Sequence, residues 1–529
     1  MTSAFATRER RERHYRRYRE VAMVLLRHRL NDMLGTFGLD RFLPFHWIPP
    51  ELPWVKSDLT KPQRTRIALE DLGTTFVKVG QILSTRTDIL PSDYTNELAG
   101  LQNGLRPLPT SVVEDVIAGE LGHSVSEIFR SFDATPVGVA SIGQAHAAVL
   151  KDGTEVVVKA RKPGVLEQVE EDLDILRQLA ASAADRWEGA EHYDLPEIVE
   201  EIAETLTHEM DYIREGHNAD HFAQFFGDDS SIHIPKIFWD YTTPRVIVLE
   251  RIKGISIRDV AALDKAGFDI RDLARRATGL WVRMVFRDVV FHADPHPGNI
   301  FVEADGRLGL IDFGMAGFVD DDVRERLANA VRGMLERDAD LVVDSLIDLG
   351  AASRSISDRE GLRRGVKHVM SHYAVPSMET TTSNTLTELL NTARRNHVRM
   401  PANTFLLLKT MGMAQALGKG LDPDFDFFAL LRPEVQAIID KRFSAYSVIT
   451  KLPSAAAELA ALGASLPKRV NRLMSTIEHG DFRIRTDVDG LETHLEHLER
   501  IVKRLVIGMV IGSLVIGASL IAMAYFLRP

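Results

Sequence analysis

The 529-residue chain contains no cysteine. That absence excludes disulfides, thiolate catalysis and cysteine-ligated zinc, and says nothing about redox compartment. An excess of basic charge is also lacking: 64 Lys and Arg stand against 75 Asp and Glu, a net charge of −11. Such a balance argues against nucleic acid as a partner. The opening residues lack the apolar core of a secretory leader; nine arginines fall before residue 30, so a leader is not expected there. No internal repeat is found. One stretch lacks charge altogether, the 23 residues from Leu505 to Leu527.

That stretch is long enough, at about 1.5 Å per residue, to cross a hydrocarbon layer of about 30 Å as a helix. Lys503 and Arg504 precede it and Arg528 follows, so the positive-inside tendency puts the large preceding part in the cytoplasm, on a single-pass membrane protein. Gly508 and Gly512 form a GxxxG within it, a spacing that lets two such helices approach and makes a homodimer an expectation. The arginine-rich start reads either as a solvated basic helix or as an arm on anionic phospholipid.

With 45% apolar and 26% charged residues, the rest is globular, and its length implies two or three structural units. A basic arm over 1–55 ends in the helix-breaking FLPFHWIPPELPW, and 56–135 reads as helices. Residues 136–250 contain a hairpin, QAHAAVL and EVVVKAR about a D-G turn, then helices, then the strand RVIVLE. Residues 251–450 are mostly helical around a second D-G hairpin, NIFVEADGRLGLIDFG. Helices over 451–504 lead to the membrane span at 505–527. The expected fold is α+β and mostly helical: a small β-rich lobe and a larger helical one, with a helical extension in front. This is the order of a two-lobed protein kinase.

Phosphoryl transfer needs held phosphates, metal charge and an oriented nucleophile. Lys159 lies on the second strand of the first hairpin, where a lysine can pair with phosphates, and Glu215, 56 residues on, is a helical carboxylate able to hold it. A lone strand lysine is more often a solvated edge residue. His292-Ala293-Asp294 through Asn299 reads H-x-D-x-x-x-x-N, and Asp312-Phe313-Gly314 follows 18 residues after Asp294. In that pattern Asp294 orients or accepts the nucleophile's proton, while Asn299 and Asp312 hold magnesium. The alternative is a zinc triad of His292, Asp294 and His296, which leaves Asn299 and the D-F-G unexplained. ATP and Mg²⁺ are therefore the expected cofactors. Two kinase elements are missing. No G-x-G-x-x-G precedes Lys159, and no A-P-E follows Asp312, so a peptide-docking segment is not expected.

In place of the glycine loop stands Val137-Gly138-Val139-Ala140-Ser141-Ile142-Gly143-Gln144-Ala145. Together with Lys78-Val79-Gly80-Gln81, Glu209-Met210-Asp211 and the two motifs above, it resembles the UbiB/AarF family of atypical, coenzyme Q kinase-like proteins, from about residue 60 to the apolar end. The resemblance implies a kinase-like fold whose front helices cover the active site. Lys78 and Gln81 of the KxGQ motif would approach Glu209 and Asp211 of the ExD motif, a regulatory arrangement. Residues 137–145, Lys159 and Glu250 would contact the nucleotide. It further implies ATPase-type or kinase (EC 2.7) activity in prenyl-quinone (ubiquinone-type) biosynthesis, with membrane lipid and quinone precursors as partners. This chain departs from the family in having one alanine in the loop's Gly138-Val139-Ala140-Ser141, and one apolar span where bacterial relatives often have two. A nucleotide-gated lipid-binding module and a protein kinase are the alternative functions.

Overall fold

A computed structural model describes residues 2–42 and 59–443, apart from 85, 87–89, 103–106, 187–193, 351–358, 375–384, 397 and 399. The chain divides into two compact units, Met1–Arg442 and Phe443–Pro529. The expected helices over 451–504, the membrane span at 505–527 and the Gly508/Gly512 face lie outside the described residues. Among the described residues no helix is long and apolar enough to cross a membrane.

The front of the chain is helical: α1 (Thr2–Arg27), α2 (Asn31–Thr36), α3 (Lys61–Leu72), α4 (Thr74–Ser84) and α5 (Ser92–Leu98). Helix α3 starts where the sequence says it should. Thr60 accepts from Gln63 N, Gln63 returns a bond to the Thr60 N–H, and Pro62 occupies the first turn, a reciprocal cap that satisfies two orphan donors. The basic arm is only partly a solvated helix. Tyr18, Val21, Ala22 and Leu25 are buried with Ala68, Leu72 and Phe76. Arg17 forks onto the buried Asp172 at 2.8 and 3.2 Å and donates to the Leu72 carbonyl. Arg16 and Arg19 face solvent.

After α6 (Thr110–Leu121) and α7 (Val125–Ile128) come β1 (Phe129–Val139), β2 (Gly143–Leu150) and β3 (Glu155–Arg161). Strand β1 is the main element that sequence patterning missed, and the expected domain boundary at 135/136 falls inside it. It is an edge strand of largely exposed residues with Pro136 in it and three register irregularities against β2. Such a strand has no apolar alternation to read. Strands β2 and β3 form the expected hairpin, with Gly153 at φ +95° in the turn.

The long interval from Lys159 to Glu215 is filled by α8 (Val165–Arg186) and α9 (Leu195–Glu209) before α10 (Tyr212–Phe225). Then follow β4 (Ile232–His233), β5 (Val246–Glu250) and β6 (Ile255–Ser256). The antiparallel sheet runs β1-β2-β3-β5. Strands β3 and β5 bury Val156, Val158, Val246 and Val248 under α6.

The larger lobe holds α11 (Val260–Lys265), α12 (Ile270–Arg287), β7 (Val290–His292), β8 (Ile300–Val302), β9 (Leu308–Leu310) and β10 (Ala316–Phe318). It continues with α13 (Asp321–Glu336), α14 (Ala339–Leu349), α15 (Arg359–Ala374), α16 (Thr385–Arg395), α17 (Ala402–Leu421) and α18 (Phe427–Phe443). Trp281 of α12 is fully buried in its core, beside Phe291 and Phe313. This packing fixes the short strands β7 to β10, too brief to be stable alone, and with them the loops that carry the site.

Candidate active site

Lys159 sits in the middle of the sheet, opposite Ala145 of β2 and Ile247 of β5. A lysine there would be costly unless paired. It pairs with Glu215 on α10, and its ammonium also lies 3.4 Å from the Ile311 carbonyl. Burial opposes its charge, but the carboxylates of Asp312 and Glu215 outweigh that, so its pKa rises and it stays an ammonium ion. Helix α10 is set by Asp211, whose side chain accepts from Ile213 N at 3.0 Å as the N-cap.

The opposite wall is built by backbone bonds to His292. The Asp294 N–H donates to His292 Nδ1 at 3.1 Å, Trp281 Nε1 donates to the His292 carbonyl, and His292 Nε2 meets the Asp312 carbonyl. Burial depresses the His292 pKa, so the ring is neutral and Nε2 carries the proton it donates. His296 Nδ1 accepts from Gly298 N. Both histidines are thus occupied in shaping loops, which disfavours the zinc triad. Among the described residues no His/Asp/Glu group is arranged to hold a metal as such a cluster.

Asn299 donates from Nδ2 to Asp294 Oδ2 at 3.1 Å, which turns its amide oxygen to other use. Asp312 Oδ1 accepts from Gly314 N at 3.0 Å. Burial alone would raise the Asp312 pKa, but Lys159, the Gly314 N–H and Lys78 lower it. A charged carboxylate and an amide oxygen on one cavity wall suit a hard, oxygen-seeking cation such as Mg²⁺.

These groups line a single cavity of about 430 Å³. Its lining includes the loop Gly138–Ala145, Lys78, Lys159, Glu209, Tyr212, Glu215, Asp294, Asn299, Ile311 and Asp312. A wider hollow of about 600 Å³ by the α13–α14 turn holds none of them. The loop is tightly made. Ala140 N donates to the Gly143 carbonyl at 2.8 Å. Gln144 is buried, accepts from Leu108 N at 2.8 Å and meets His146 at 2.8 Å, latching the loop to the segment before α6.

Not every expected residue reaches the cavity. Val137 is exposed. Glu250 is not in the lining; its carboxylate meets Lys236 N and His233. Lys78 does pair with Glu209, at 2.6 Å. Gln81 instead donates to the Leu101 carbonyl at 3.1 Å, inside the front helices, and Asp211 is the helix cap. Sequence reasoning missed Tyr212 in the lining and Asn218, which donates to the Phe313 carbonyl at 2.9 Å. Asn218 lies one helical turn after Glu215, on the same face of α10, and that spacing was the available signal.

The family models and the similar sequences point to one family. The ABC1 atypical kinase-like domain matches residues 100–346, the UbiB helical domain 368–426, and the ABC1/UbiB kinase-like C-terminal domain 489–526. The "Probable protein kinase UbiB" of Marinobacter nauticus is 36% identical over 432 residues, 79% of this chain and 79% of that one. Its namesake in Xylella fastidiosa is 31% identical over 524 residues, 96% of this chain and 93% of that one. A solved structure from Mycobacterium tuberculosis, titled as an Rv3197–erythromycin complex, aligns with a TM-score of 0.47 at 25% identity, covering 72% of this chain and 94% of that one. The relatives' length and identity, with the matched domains, show that the chain belongs to the ABC1/UbiB family of atypical kinase-like proteins.

Proposed function

We propose that the protein binds Mg-ATP in this cavity and transfers or releases its γ-phosphoryl group, in support of prenyl-quinone biosynthesis at a membrane. One observation carries the reading: Lys159, Glu215, Asp312, Asn299 and Asp294 line a single cavity, each beside the partner that its role requires. Mg²⁺, held by Asp312 and Asn299, would supply charge to the phosphates. The chain's own residues do the rest. Lys159 presents a cation fixed by Glu215, and the Gly138–Ala145 backbone covers the phosphates. Asp294, its Oδ2 held by Asn299, orients the acceptor's hydroxyl or a water and takes its proton.

The quinone role rests on the family and on the sequence. The uncharged run from Leu505 to Leu527 would hold the protein to the bilayer by one span, with the kinase-like part in the cytoplasm and lipid-soluble quinone precursors or anionic lipid within reach. A paired Gly508/Gly512 face would make it a dimer. A second reading is favoured by Lys78, which belongs to the front helices yet lines the nucleotide cavity. Nucleotide there would be felt by those helices, as a nucleotide-gated lipid-binding module requires.

The test is ATP hydrolysis by the purified protein with and without anionic vesicles and a phenolic quinone precursor, against Asp312→Asn. Activation by either addition is expected, with turnover falling roughly 10³-fold in the variant. Unchanged turnover in Asp312→Asn would refute the enzymatic reading. Equal lipid extraction with ATP and a non-hydrolysable analogue would favour the gated module.

A further inference from the structure

The catalytic loop offers no cation of its own. Between Asp294 and Asn299 lie Pro295, His296, Pro297 and Gly298, and the His296 ring is turned back to accept from Gly298 N at 3.1 Å. A phosphoryl group leaving ATP beside Asp294 would meet a carboxylate and no opposing charge on that side. Lys78 is committed to Glu209 at 2.6 Å and Lys159 to Glu215.

A third lysine comes from a distant part of the chain. Helix α17 runs along the catalytic loop, and Thr410 Oγ1 donates to the Ala293 carbonyl at 3.2 Å, one residue before Asp294. One turn earlier, the buried Phe405 lies under Arg86, the guanidinium carbon being 5.2 Å from the ring centroid. Arg86 follows α4, the helix that carries Lys78. Residues 405 and 409 share a helix face, so Lys409 stands between the catalytic loop and the KxGQ helix. Its electrostatic neighbours are accordingly Asp294 and Lys78.

We propose that Lys409 is the acceptor-side cation of the site, drawn to the γ-phosphoryl group as it leaves ATP and to the phosphate product. The proposal rests on the functional reading above. Burial lowers the Lys409 pKa to about 8, Asp294 opposing the drop and Lys78 adding to it. The ammonium is charged at neutral pH and has no ion-pair partner within 4 Å among the described residues, and an arriving phosphate supplies a counter-charge.

The experiment measures Mg-ATP and Mg-ADP affinity, turnover, inhibition by inorganic phosphate and thermal melting for wild type, Lys409→Met and Lys409→Arg. In Lys409→Met the preference for ATP over ADP should fall roughly tenfold, as for loss of a charge-assisted bond, and turnover about 10²-fold. Phosphate inhibition should weaken, the melting point should hold or rise, and Lys409→Arg should recover most of the preference. If ATP and ADP affinities fall together with the melting point, Lys409 is structural and the proposal fails. It fails equally if Lys409→Met keeps wild-type preference and turnover. A wild type that binds ATP but does not hydrolyse it overturns the turnover reading alone, because the ATP-to-ADP preference still judges Lys409. A wild type that binds neither nucleotide overturns both.

Discussion

Two lysine–glutamate pairs face the same cavity and are built by different means. Lys159 and Glu215 are joined by a strand inside the sheet and the helix packed on it, and Asp312 adds a second carboxylate. Lys78 and Glu209 join α4 of the front helices to the end of α9. Lys159 is held from both flanking strands, whereas the Lys78 pair depends on how the extension docks. The two pairs thus differ in what holds them, sheet pairing for the first and packing between helices for the second. In the proposed function phosphate binding falls to the first pair and access to the second.

The comparison breaks most readily at Lys159. In Lys159→Met, Glu215 and Asp312 face each other in a buried site without their cation. The expected cost is about 3–5 kcal/mol of stability, and ATP turnover should drop roughly 10²-fold or more. Adding Glu215→Met should return part of the stability and none of the turnover. Chemical denaturation and a hydrolysis assay on the single and double variants read both. If the double variant regains turnover, the pair does not position phosphate.

Lys78→Ala should cost less, roughly 1–3 kcal/mol, because both partners line a cavity that water can enter. It also gives a signed pH test. Lys78 is one of the groups that hold the Asp312 carboxyl below its usual range. Removing it raises the Asp312 pKa, so the acidic limb of the turnover profile should move to higher pH. That limb marks the point at which falling pH protonates the Asp312 carboxylate. A limb that stays in place, or moves to lower pH, would detach Lys78 from the reacting centre.

The site was legible in sequence where it is local. The loop from His292 to Asn299 and the D-F-G are joined by one hairpin, so their spacing carries the geometry. Lys159 was legible because its hairpin has a D-G turn. What depends on docking between distant elements was not. Nothing local to Gln81 points to the Leu101 carbonyl, nor does anything near Glu250 show that it turns toward His233. Lys409 left a trace that went unread: a charge inside the apolar run Phe405-Leu406-Leu407-Leu408-Lys409, where a helix built for burial has no bland use for one. The fold was legible in its lobes and obscure at β1, whose exposed, interrupted edge follows no period.

The finest test concerns two glycines of the same loop. At Gly143 a Cβ would stand 2.4 Å from the Tyr212 hydroxyl and 2.7 Å from the Ala160 carbonyl, contacts that neither the buried tyrosine nor the strand backbone can relieve cheaply. At Gly138 it would meet nothing within 4 Å, and that residue lies in β1 without a left-handed φ. The glycine at 138 is therefore not required by any close contact. Gly143→Ala should lose about 1–3 kcal/mol by overpacking and weaken nucleotide binding with it. Gly138→Ala should stay within about 0.5 kcal/mol of wild type, since the strand conformation it occupies is open to any residue. Melting curves and nucleotide titrations on the two variants decide the point. Equal losses would mean that the loop needs freedom at both ends, and that the close fit at Gly143 is not what holds it against β3.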